Sequence, residues 1–451
     1  MSEQFDLIVL GSGSGARDGA NKAANEHGAR VALIEDRRWG GSCPNVACKP
    51  TKAYLVAAEL THDIATLAGK LGIEVGPPRV DLAEVRARKD SLIVSQETWM
   101  ERLHAAGHTP YDGTGSFLDP HTVQVNGTRL TAERVLVATG SRTAVPPIEG
   151  LEEVGWIDHV TALELTELPE ALLVVGGGPV GLELAQIFSR FGSRVTLVQT
   201  ADRISPRSDA DATGELTAAL TDEGIDIRTG TTVSRVRRED GVIVATLGDD
   251  EVRVDRILLA SGRLPNVERL ELERAGIKRT RGGIVVDDRL RTSAEGVWAA
   301  GDVTAAHQFT PVAQYEARVA VDDMFGANDA RAAYDWLPTA IFTDPELAAV
   351  GLTEAEARER GLDVDTAVHP IRYVQRASYT DVKHGLYKLV WERKSRRVVG
   401  LHVVTRNASD VVQGLGLAFK LGATVDDLAR MHHAFPTWAE GVKAAAEQAL
   451  S

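Results

Sequence analysis

Residues 7–16 read Leu7-Ile8-Val9-Leu10-Gly11-Ser12-Gly13-Ser14-Gly15-Ala16, a short apolar run followed by a glycine-rich turn. The apolar run predicts a buried β-strand, and the residues after the glycines predict a helix to about Glu26. A second apolar stretch at 30–34 predicts another strand, which ends at Glu35. A strand, a glycine turn, a helix, a strand and a terminal acid together form a dinucleotide-binding fingerprint.

Each residue type in this fingerprint has a physical role. Gly11 and Gly13 let backbone amides approach a pyrophosphate at the helix N-terminus, and Ala16 permits close packing of helix on strand. Glu35 can accept a hydrogen bond from a ribose hydroxyl. An ordinary glycine-rich turn is the alternative, but the flanking strands and the acid favour a dinucleotide site.

The pattern occurs a second time along the chain. An apolar run at 172–175 leads into Gly176-Gly177-Gly178-Pro179-Val180-Gly181, followed by a predicted helix and a predicted strand at 194–198. Two such motifs in one chain imply two different dinucleotides. We therefore expect Gly176, Gly178 and Gly181 to contact the second one.

The second motif lacks an acid at the end of its second strand. Gln199 stands at that position, and Arg203 and Arg207 follow. A carboxylate would favour a free 2′-hydroxyl, whereas nearby arginine tolerates a 2′-phosphate. Gln199 and Arg203 as cofactor contacts thus favour NADPH over NADH, unless the arginines are solvated loop charges.

Composition limits the classes of function. The chain has 451 residues, 43% apolar and 25% charged residues and a net charge of −14, as expected of two to three globular domains. The negative charge disfavours nucleic acid and anionic membranes as partners. The sequence has no apolar run of ~18 residues and no signal-peptide pattern at its start, which predicts a cytoplasmic protein. It also has no histidine spacing typical of a metal site.

Cys43 and Cys48 are the only cysteines, and they lie in one window from Gly40 to Lys52. Residues five apart in a regular helix would have Cα atoms about 8–9 Å apart, whereas a disulfide needs less than ~7 Å. A bridge therefore requires an irregular turn, which Pro44 and Pro50 make plausible. A disulfide on distorted backbone is easily reduced, so the window predicts a redox-active pair rather than a local structural bridge.

Further motifs extend along the chain. They are Val137-Ala138-Thr139-Gly140-Ser141, Leu259-Ala260-Ser261-Gly262-Arg263-Leu264-Pro265-Asn266, Val297-Trp298-Ala299-Ala300-Gly301-Asp302 and Ile341-Phe342-Thr343-Asp344-Pro345-Glu346. With the glycine motifs and the cysteine window, they resemble the class I pyridine nucleotide–disulfide oxidoreductases. These flavoproteins include dihydrolipoamide dehydrogenase, glutathione reductase and mercuric reductase.

The resemblance implies an α/β fold with two Rossmann-like dinucleotide-binding domains and a C-terminal α+β dimerisation domain. FAD would bind residues 1–146 and 266–330, NAD(P) would bind 147–265, and 331–451 would form the interface of a homodimer. It also implies reduction of FAD by NADPH or NADH, followed by reduction of a Cys43–Cys48 disulfide and then of an acceptor.

The resemblance further implies residue roles. Cys48 would lie against the flavin as a charge-transfer thiolate, and Cys43 would meet the acceptor. Lys52 and Glu183 would pair where hydride arrives, and Asp302 would hold the flavin ribityl chain. A helix starting near Thr310-Pro311, with Thr310 a good N-cap, would direct its positive end at the flavin. Other expected cofactor contacts are Ser42, Thr139, Gly140, Gly262, Val312 and Ala313.

The chain departs from the family pattern near its C-terminus. Disulfide reductases of the family carry His-Pro-Thr-x-x-Glu, whose histidine is the partner subunit's acid–base. Here the sequence is His432-His433-Ala434-Phe435-Pro436-Thr437-Trp438-Ala439-Glu440. Phe435 cannot transfer a proton, and Glu440 has lost the imidazole that it would orient. Losing a general acid–base typically costs about 10²–10⁴ in rate.

Several acceptors therefore stay open. His433 could replace the missing base for a dihydrolipoamide dehydrogenase-like reaction or for an unusual disulfide. A soft metal ion held by two thiolates would need no proton, and mercuric reductases also have an aromatic residue at this point. A quinone could take electrons from the flavin directly, and a non-catalytic redox sensor is a further alternative.

Overall fold

The computed structural model describes residues 2–450. Its helices are α1 (Ser14–His27), α2 (Ser42–Asn45), α3 (Cys48–Thr66), α4 (Leu82–Asp90), α5 (Gln96–Ala105), α6 (Leu151–Val154), α7 (His159–Ala162), α8 (Pro179–Phe191), α9 (Ala210–Asp222), α10 (Thr310–Met324), α11 (Glu354–Glu359), α12 (Gln375–Tyr379), α13 (Ala408–Lys420), α14 (Val425–Arg430) and α15 (Glu440–Gln448). Its strands are β1 (Ser2–Gln4), β2 (Leu7–Leu10), β3 (Val31–Glu35), β4 (Thr109–Asp112), β5 (Ser116–Asp119), β6 (Thr122–Val125), β7 (Thr128–Thr131), β8 (Val135–Val137), β9 (Ser141–Thr143), β10 (Ala171–Val175), β11 (Arg194–Val198), β12 (Asp226–Arg228), β13 (Val233–Glu239), β14 (Val242–Leu247), β15 (Asp250–Val254), β16 (Arg256–Leu259), β17 (Arg263–Pro265), β18 (Val297–Ala299), β19 (Thr339–Ile341), β20 (Glu346–Gly351), β21 (Val364–Pro370), β22 (Leu386–Glu392) and β23 (Val398–Thr405).

The chain forms two compact units. The first comprises the chain up to Pro50, Arg88–Ala144 and Gly262–Ala333, and the second comprises Thr51–Ala87, Val145–Ser261 and the chain from Tyr334.

The first unit contains a parallel five-stranded sheet in the order β18-β8-β2-β3-β4. Helix α1 connects β2 to β3, so that Leu7 pairs with Val31 and Leu10 with Ile34. Every residue of β2 is buried, as expected of a strand whose sheet is covered on both faces. A smaller sheet, β1-β7-β6-β5, and the antiparallel pair β9-β17 complete this unit.

The second unit repeats the parallel arrangement in the order β12-β11-β10-β16, with α8 connecting β10 to β11. It also holds a three-stranded antiparallel sheet, β13-β14-β15, and a five-stranded antiparallel sheet, β19-β20-β23-β22-β21. One apolar core contains Tyr54 of α3, Phe188 of α8 and Leu347 of β20. The hydroxyl of Tyr54 donates to the Leu163 carbonyl at 3.0 Å, which satisfies the polar atom of this fully buried ring.

Two βαβ units and a C-terminal α+β region were predicted, and this fold class is confirmed. The exact limits of the three predicted domains stay predictions, since the second unit takes in Thr51–Ala87 of the predicted FAD segment. Helix α3 begins at Cys48 and includes Pro50 in its first turn, where proline is compatible with helical backbone. Within residues 2–450, no helix is both long and apolar enough to cross a membrane.

Candidate active site

The first glycine turn forms an open cradle in the first unit. Gly11 has φ +107°, and a Cβ there would overlap the carbonyl oxygen of Ala138. Gly13 caps α1 with extended backbone and has no side chain that could accept a hydrogen bond from the amides of the first turn. Gly41, at φ +76°, lies against the Cα of Gly13, whereas a Cβ on Gly13 would meet nothing within 4 Å. This space, bordered by helix amides, fits the pyrophosphate of FAD.

Glu35 stabilises the same turn. Its Oε2 accepts hydrogen bonds from the Ser12 amide at 3.0 Å and the Ser12 hydroxyl at 2.7 Å, and its Oε1 accepts one from the Arg37 amide. A carboxylate oxygen can accept more than one hydrogen bond, so the ribose contact expected of Glu35 stays compatible with this geometry. Ala16 is 1% exposed and packs in the core beneath the turn.

The predicted residues Thr139 and Gly140 hold the end of β8 to the segment after β17. The Thr139 hydroxyl donates to the Asn266 carbonyl at 2.7 Å, and the Asn266 side-chain amide donates back to the Thr139 carbonyl at 2.9 Å. The Asn266 backbone amide donates to the Gly140 carbonyl. Gly262, at φ +114°, likewise accepts a hydrogen bond from Ala144. These hydrogen bonds join residues 139–144 to residues 262–266 within the first unit.

Asp302 lies in a polar cluster at the end of the motif formed by residues 297–302. Its Oδ2 accepts a hydrogen bond from the Ser141 hydroxyl at 2.5 Å and lies 3.6 Å from Arg263 Nε. Arg263 also donates to the Ser141 hydroxyl and carbonyl, at 2.7 and 2.9 Å. The carboxylate is thus held in one orientation, which suits the expected contact with a ribityl hydroxyl.

The cysteine window contains the irregular turn that the pair requires. Cys43 lies in α2, which starts at Ser42, and Val46 at φ −140° breaks the helix before α3 starts at Cys48. The Ser42 carbonyl accepts the amides of Val46 and of the residue after it. Cys43 is half-buried and Cys48 is exposed.

The structure adds a residue that the sequence did not identify as a thiol contact. The hydroxyl of Thr310 lies 3.7 Å from the Cys48 sulfur. Thr310 was expected to cap α10, but it is the first helical residue, and the capping position is Phe309, without a side-chain hydrogen bond. Val312 is buried in the first turns of α10, and a Cβ on Gly15 would overlap Ala313. Cys48 and Thr310 are 262 positions apart in the sequence, and no local pattern links them, so the sequence does not predict this contact.

The second glycine turn lies in the second unit. Gly176 has φ +116° and approaches the Ala260 carbonyl, and a Cβ on Gly181 would overlap the Gly176 carbonyl. Gly178 caps α8 with extended backbone, no side-chain cap and open space around it. This turn therefore has the same features as the first and fits a second dinucleotide.

Gln199 supports this turn through its amide. Its Oε1 accepts a hydrogen bond from the Gly177 backbone amide at 2.9 Å, as Glu35 does from Ser12 in the first unit. The Arg203 guanidinium donates to the Pro206 carbonyl within its own loop. Gln199 thus brings no negative charge to this strand end.

Lys52 and Glu183 are brought together in the second unit. Lys52 Nζ lies 2.6 Å from Glu183 Oε2 and 4.3 Å from the centre of the Phe342 ring. Glu183 is buried, and its Oε1 accepts a hydrogen bond from the Phe342 amide at 3.1 Å. Both carboxylate oxygens are therefore engaged, and burial of the charge is compensated.

Near the C-terminus, the ring of Phe435 occupies the sequence position where disulfide reductases of the family have a histidine. Phe435 is 70% exposed. Glu440 is buried at the start of α15, where its Oε1 accepts from the Arg376 amide at 3.2 Å. Within residues 2–450, Glu440 Oε2 and His433 Nδ1 are buried without a hydrogen-bond partner. The roles of Phe435 and Glu440 toward the cysteines stay predictions.

Comparisons with known proteins identify the family. The model of the pyridine nucleotide-disulphide oxidoreductases matches residues 5–317, and the model of the dimerisation domain of that family matches 337–446. The mercuric reductase of Staphylococcus aureus is 37% identical over 449 residues, covering 98% of this chain and 82% of that protein. The dihydrolipoyl dehydrogenase of Thermus scotoductus is 38% identical over 456 residues, covering 98% and 97%.

A solved structure agrees with this assignment. The Cu(II) complex of the HOCl-induced flavoprotein disulfide reductase RclA from Escherichia coli superimposes with a TM-score of 0.88 at 28% identity, covering 99% of each chain. The fold, the paired glycine turns and the cysteine window are explained together by one assignment. The chain belongs to the class I pyridine nucleotide-disulphide oxidoreductases, which are enzymes that use FAD and NAD(P)H.

Proposed function

We propose that this chain is an NAD(P)H-dependent reductase whose thiol pair, Cys43 and Cys48, delivers electrons to a soft metal ion. The metal ion is the substrate rather than a resident cofactor. The observation that carries this proposal is Phe435, a largely exposed ring in the slot where disulfide reductases of the family have their acid–base.

The possible acceptors differ in whether their reduction requires a proton. Reduction of a small disulfide releases a thiolate that must be protonated, and a general acid supports that step. A metal ion bound by two thiolates takes electrons without a proton, and soft ions prefer sulfur ligands. The relatives named mercuric reductase and the copper complex of RclA support an acceptor of this kind.

The chain's own residues prepare the reaction. When bound, FAD and NAD(P)H supply the two-electron chemistry that reduces the cysteine pair. Gly11 and Gly13 would admit the FAD pyrophosphate, and Asp302 would orient the ribityl chain. Lys52, fixed by Glu183, would hold a positive charge beside the reacting ring, and Thr310 would hold the Cys48 sulfur.

The remaining features are part of the same proposal. The dimerisation domain supports a homodimer in which Phe435 and Glu440 cap the partner's thiol pair. A reducing cytoplasm would suit a catalytic thiol pair of which Cys48 is exposed. The uncharged Gln199 favours NADPH over NADH as the electron donor.

Steady-state turnover with a panel of acceptors tests the function. The wild-type holoenzyme and the Cys43→Ser variant are assayed with Hg²⁺, Cu²⁺, lipoamide and a quinone, each with NADH and with NADPH. We expect metal-dependent oxidation of the nicotinamide in wild type and its loss in Cys43→Ser. Faster turnover of lipoamide than of either metal ion would overturn the proposal. A quinone activity that survives Cys43→Ser, with no metal activity, would instead support direct reduction by the flavin.

A further inference from the structure

Arg17 is a partly buried cation at the border of the first glycine turn. It lies near the start of α1, and helical side chains point back toward the helix N-terminus. Its Nε donates a hydrogen bond to the Ser12 carbonyl at 3.2 Å. The Arg17 side chain therefore contacts the residue between Gly11 and Gly13, the two glycines whose cradle fits the pyrophosphate of FAD.

The indole of Trp99 orients this guanidinium. The guanidinium carbon of Arg17 is 4.4 Å from the centre of the Trp99 ring, which is 6% exposed. The same ring borders the cradle, because a Cβ on Gly40 would overlap it and the next residue, Gly41, lies against Gly13. The plane of the guanidinium is thus fixed beside the cradle, and little side-chain entropy is lost when it binds a ligand there.

The charge of Arg17 is not balanced by an acid of the protein. Within residues 2–450, no carboxylate forms an ion pair with Arg17, and its neighbour Asp18 pairs with Arg318 instead. No acceptor in the same residues takes a hydrogen bond from the Nη atoms of Arg17. Burial lowers the pKa of Arg17, and the charges around it do not cancel this effect. A partly buried cation without a counter-charge is costly, so a bound anion would stabilise it.

We propose that Arg17 binds the pyrophosphate of FAD and supplies the positive charge of this cofactor site. A guanidinium can donate two parallel hydrogen bonds to phosphate oxygens, and a helix N-terminus also favours phosphate. A permanent cation beside the amides of α1 would offset part of the negative charge of the pyrophosphate. The role of Arg17 goes beyond the glycine fingerprint, whose residues at 11, 13 and 16 carry no charge.

The second glycine turn provides an internal comparison. Leu182 follows Gly176 by the same number of positions as Arg17 follows Gly11. Leu182 is fully buried in an apolar core and carries no charge. The nicotinamide cofactor must leave after each hydride transfer, whereas FAD is reduced and oxidised in place. A cation at the first turn, with leucine at the equivalent position of the second, suits one resident and one exchanging dinucleotide.

The rate at which the holoenzyme releases FAD tests this inference. Dilute holoenzyme is incubated, and the flavin that passes an ultrafiltration membrane is measured over time. We expect Arg17→Gln to release FAD about tenfold faster or more, the factor expected for a lost hydrogen bond between charged groups. Arg17→Lys keeps the charge without the planar fork, and its rate should lie between the two. Added salt should narrow the difference between wild type and Arg17→Gln, because screening weakens the contribution of the charge.

Arg102→Gln is the matched control. It removes the other guanidinium over the Trp99 ring, which lies at 5.3 Å and belongs to an exposed residue. This variant should release FAD at the wild-type rate. Arg17→Met keeps an unbranched stem over the indole, provides a second charge-free variant if Arg17→Gln does not fold, and should show the same faster release. The apparent affinity for NADPH, from the concentration dependence of flavin reduction in stopped flow, should not change in Arg17→Gln.

Equal rates of FAD release from wild type and from the charge-free variants would overturn the inference. The same acceleration in Arg102→Gln would also overturn it, because the packing on Trp99 rather than the Arg17 charge would then retain the cofactor. A difference that salt leaves unchanged would assign Arg17 a purely structural role. The release assay contains no electron acceptor, so its result is independent of the acceptor panel that tests the proposed function.

Discussion

Lys52 and Glu183 form an ion pair of 2.6 Å across 131 positions of sequence. Glu183 is buried, whereas the Lys52 side chain keeps about a third of its surface exposed (37%) and lies over the Phe342 ring. The acid is therefore the fixed member of the pair and the lysine the group that it orients. Lys52 lies one helical turn after Cys48 on α3, so Glu183 orients a lysine close to the proposed charge-transfer thiol.

Replacing Glu183 by glutamine should slow the reduction of the enzyme-bound flavin by NAD(P)H. The neutral amide leaves the Lys52 ammonium without its counter-charge, and a hydrogen bond to a charged group is worth about 1.5–3 kcal/mol, or roughly tenfold or more in rate. Stopped-flow absorbance measures this rate. Asp381→Asn removes the partner of Lys70 in an exposed ion pair and should leave the rate unchanged. An unaltered rate in Glu183→Gln would contradict the role of the pair.

Replacing Phe435 by histidine should increase the reduction of a small disulfide such as lipoamide. The imidazole would lie two positions after His433 and could be oriented by Glu440, whose Oε2 is buried without a hydrogen-bond partner in residues 2–450. A positioned acid–base contributes about 10²–10⁴, so we expect a gain of at least about tenfold. Phe435→Tyr is the size-matched control and should give no comparable gain. If Phe435→His gains nothing, the missing imidazole is not what limits disulfide turnover.

Replacing Cys48 by serine should abolish the long-wavelength absorbance that we expect on anaerobic reduction of the wild-type enzyme. The band would arise from a Cys48 thiolate against the flavin, and Thr310 lies 3.7 Å from this sulfur. Cys43→Ser is the matched control and should retain the band. Persistence of the band in Cys48→Ser, or its absence from wild type, would show that another group faces the flavin.

Replacing Gln199 by glutamate should shift the cofactor preference toward NADH. The carboxylate would repel a 2′-phosphate and accept a hydrogen bond from a free 2′-hydroxyl. We expect the ratio of kcat/KM for NADPH to that for NADH to fall by about tenfold, or 1.4 kcal/mol. Gln199→Leu loses the bond to the Gly177 amide without adding charge, and it should weaken both cofactors alike. An unchanged ratio in Gln199→Glu would mean that residues other than Gln199 recognise the 2′ position of the cofactor's ribose.

His402 should make the protein less stable as the pH falls below about 6.5. The side chain is 1% exposed, its Nε2 donates to the Leu352 carbonyl at 3.0 Å, and burial lowers the pKa of His402. Below the unfolded pKa of about 6.5 the unfolded chain binds the proton that the folded chain excludes, so the free energy of unfolding falls.

The His402→Asn variant should therefore lose less thermal stability than wild type between pH 7.5 and pH 5.5, with a difference in the Tm change of about 2 °C or more. Differential scanning fluorimetry gives both Tm values. His432→Asn alters an exposed side chain and serves as the control. Parallel Tm curves for wild type and His402→Asn would mean that another buried group causes the loss of thermal stability at acid pH.

The fold could be predicted from the sequence because its signals are local. A buried strand, a glycine turn and a helix within residues 7–27 are determined by hydrophobic periodicity and by the conformations that only glycine adopts. The same signals recur at Gly176, and two cysteines five residues apart identify a redox window. Phe435 could be recognised as a departure because it lies within a short, ordered motif.

The contacts between candidate-site residues that lie far apart in the sequence were decided by tertiary structure. Thr310 reaches Cys48 only because α10 packs within the first unit, and the Arg17 guanidinium lies over the Trp99 ring only because α1 and α5 share one core. Lone threonine and arginine residues carry no sequence signal, since either is ordinary on a helix surface. Sequence determines which local conformations are possible, whereas distances between residues far apart in the chain follow from packing, which no local pattern encodes.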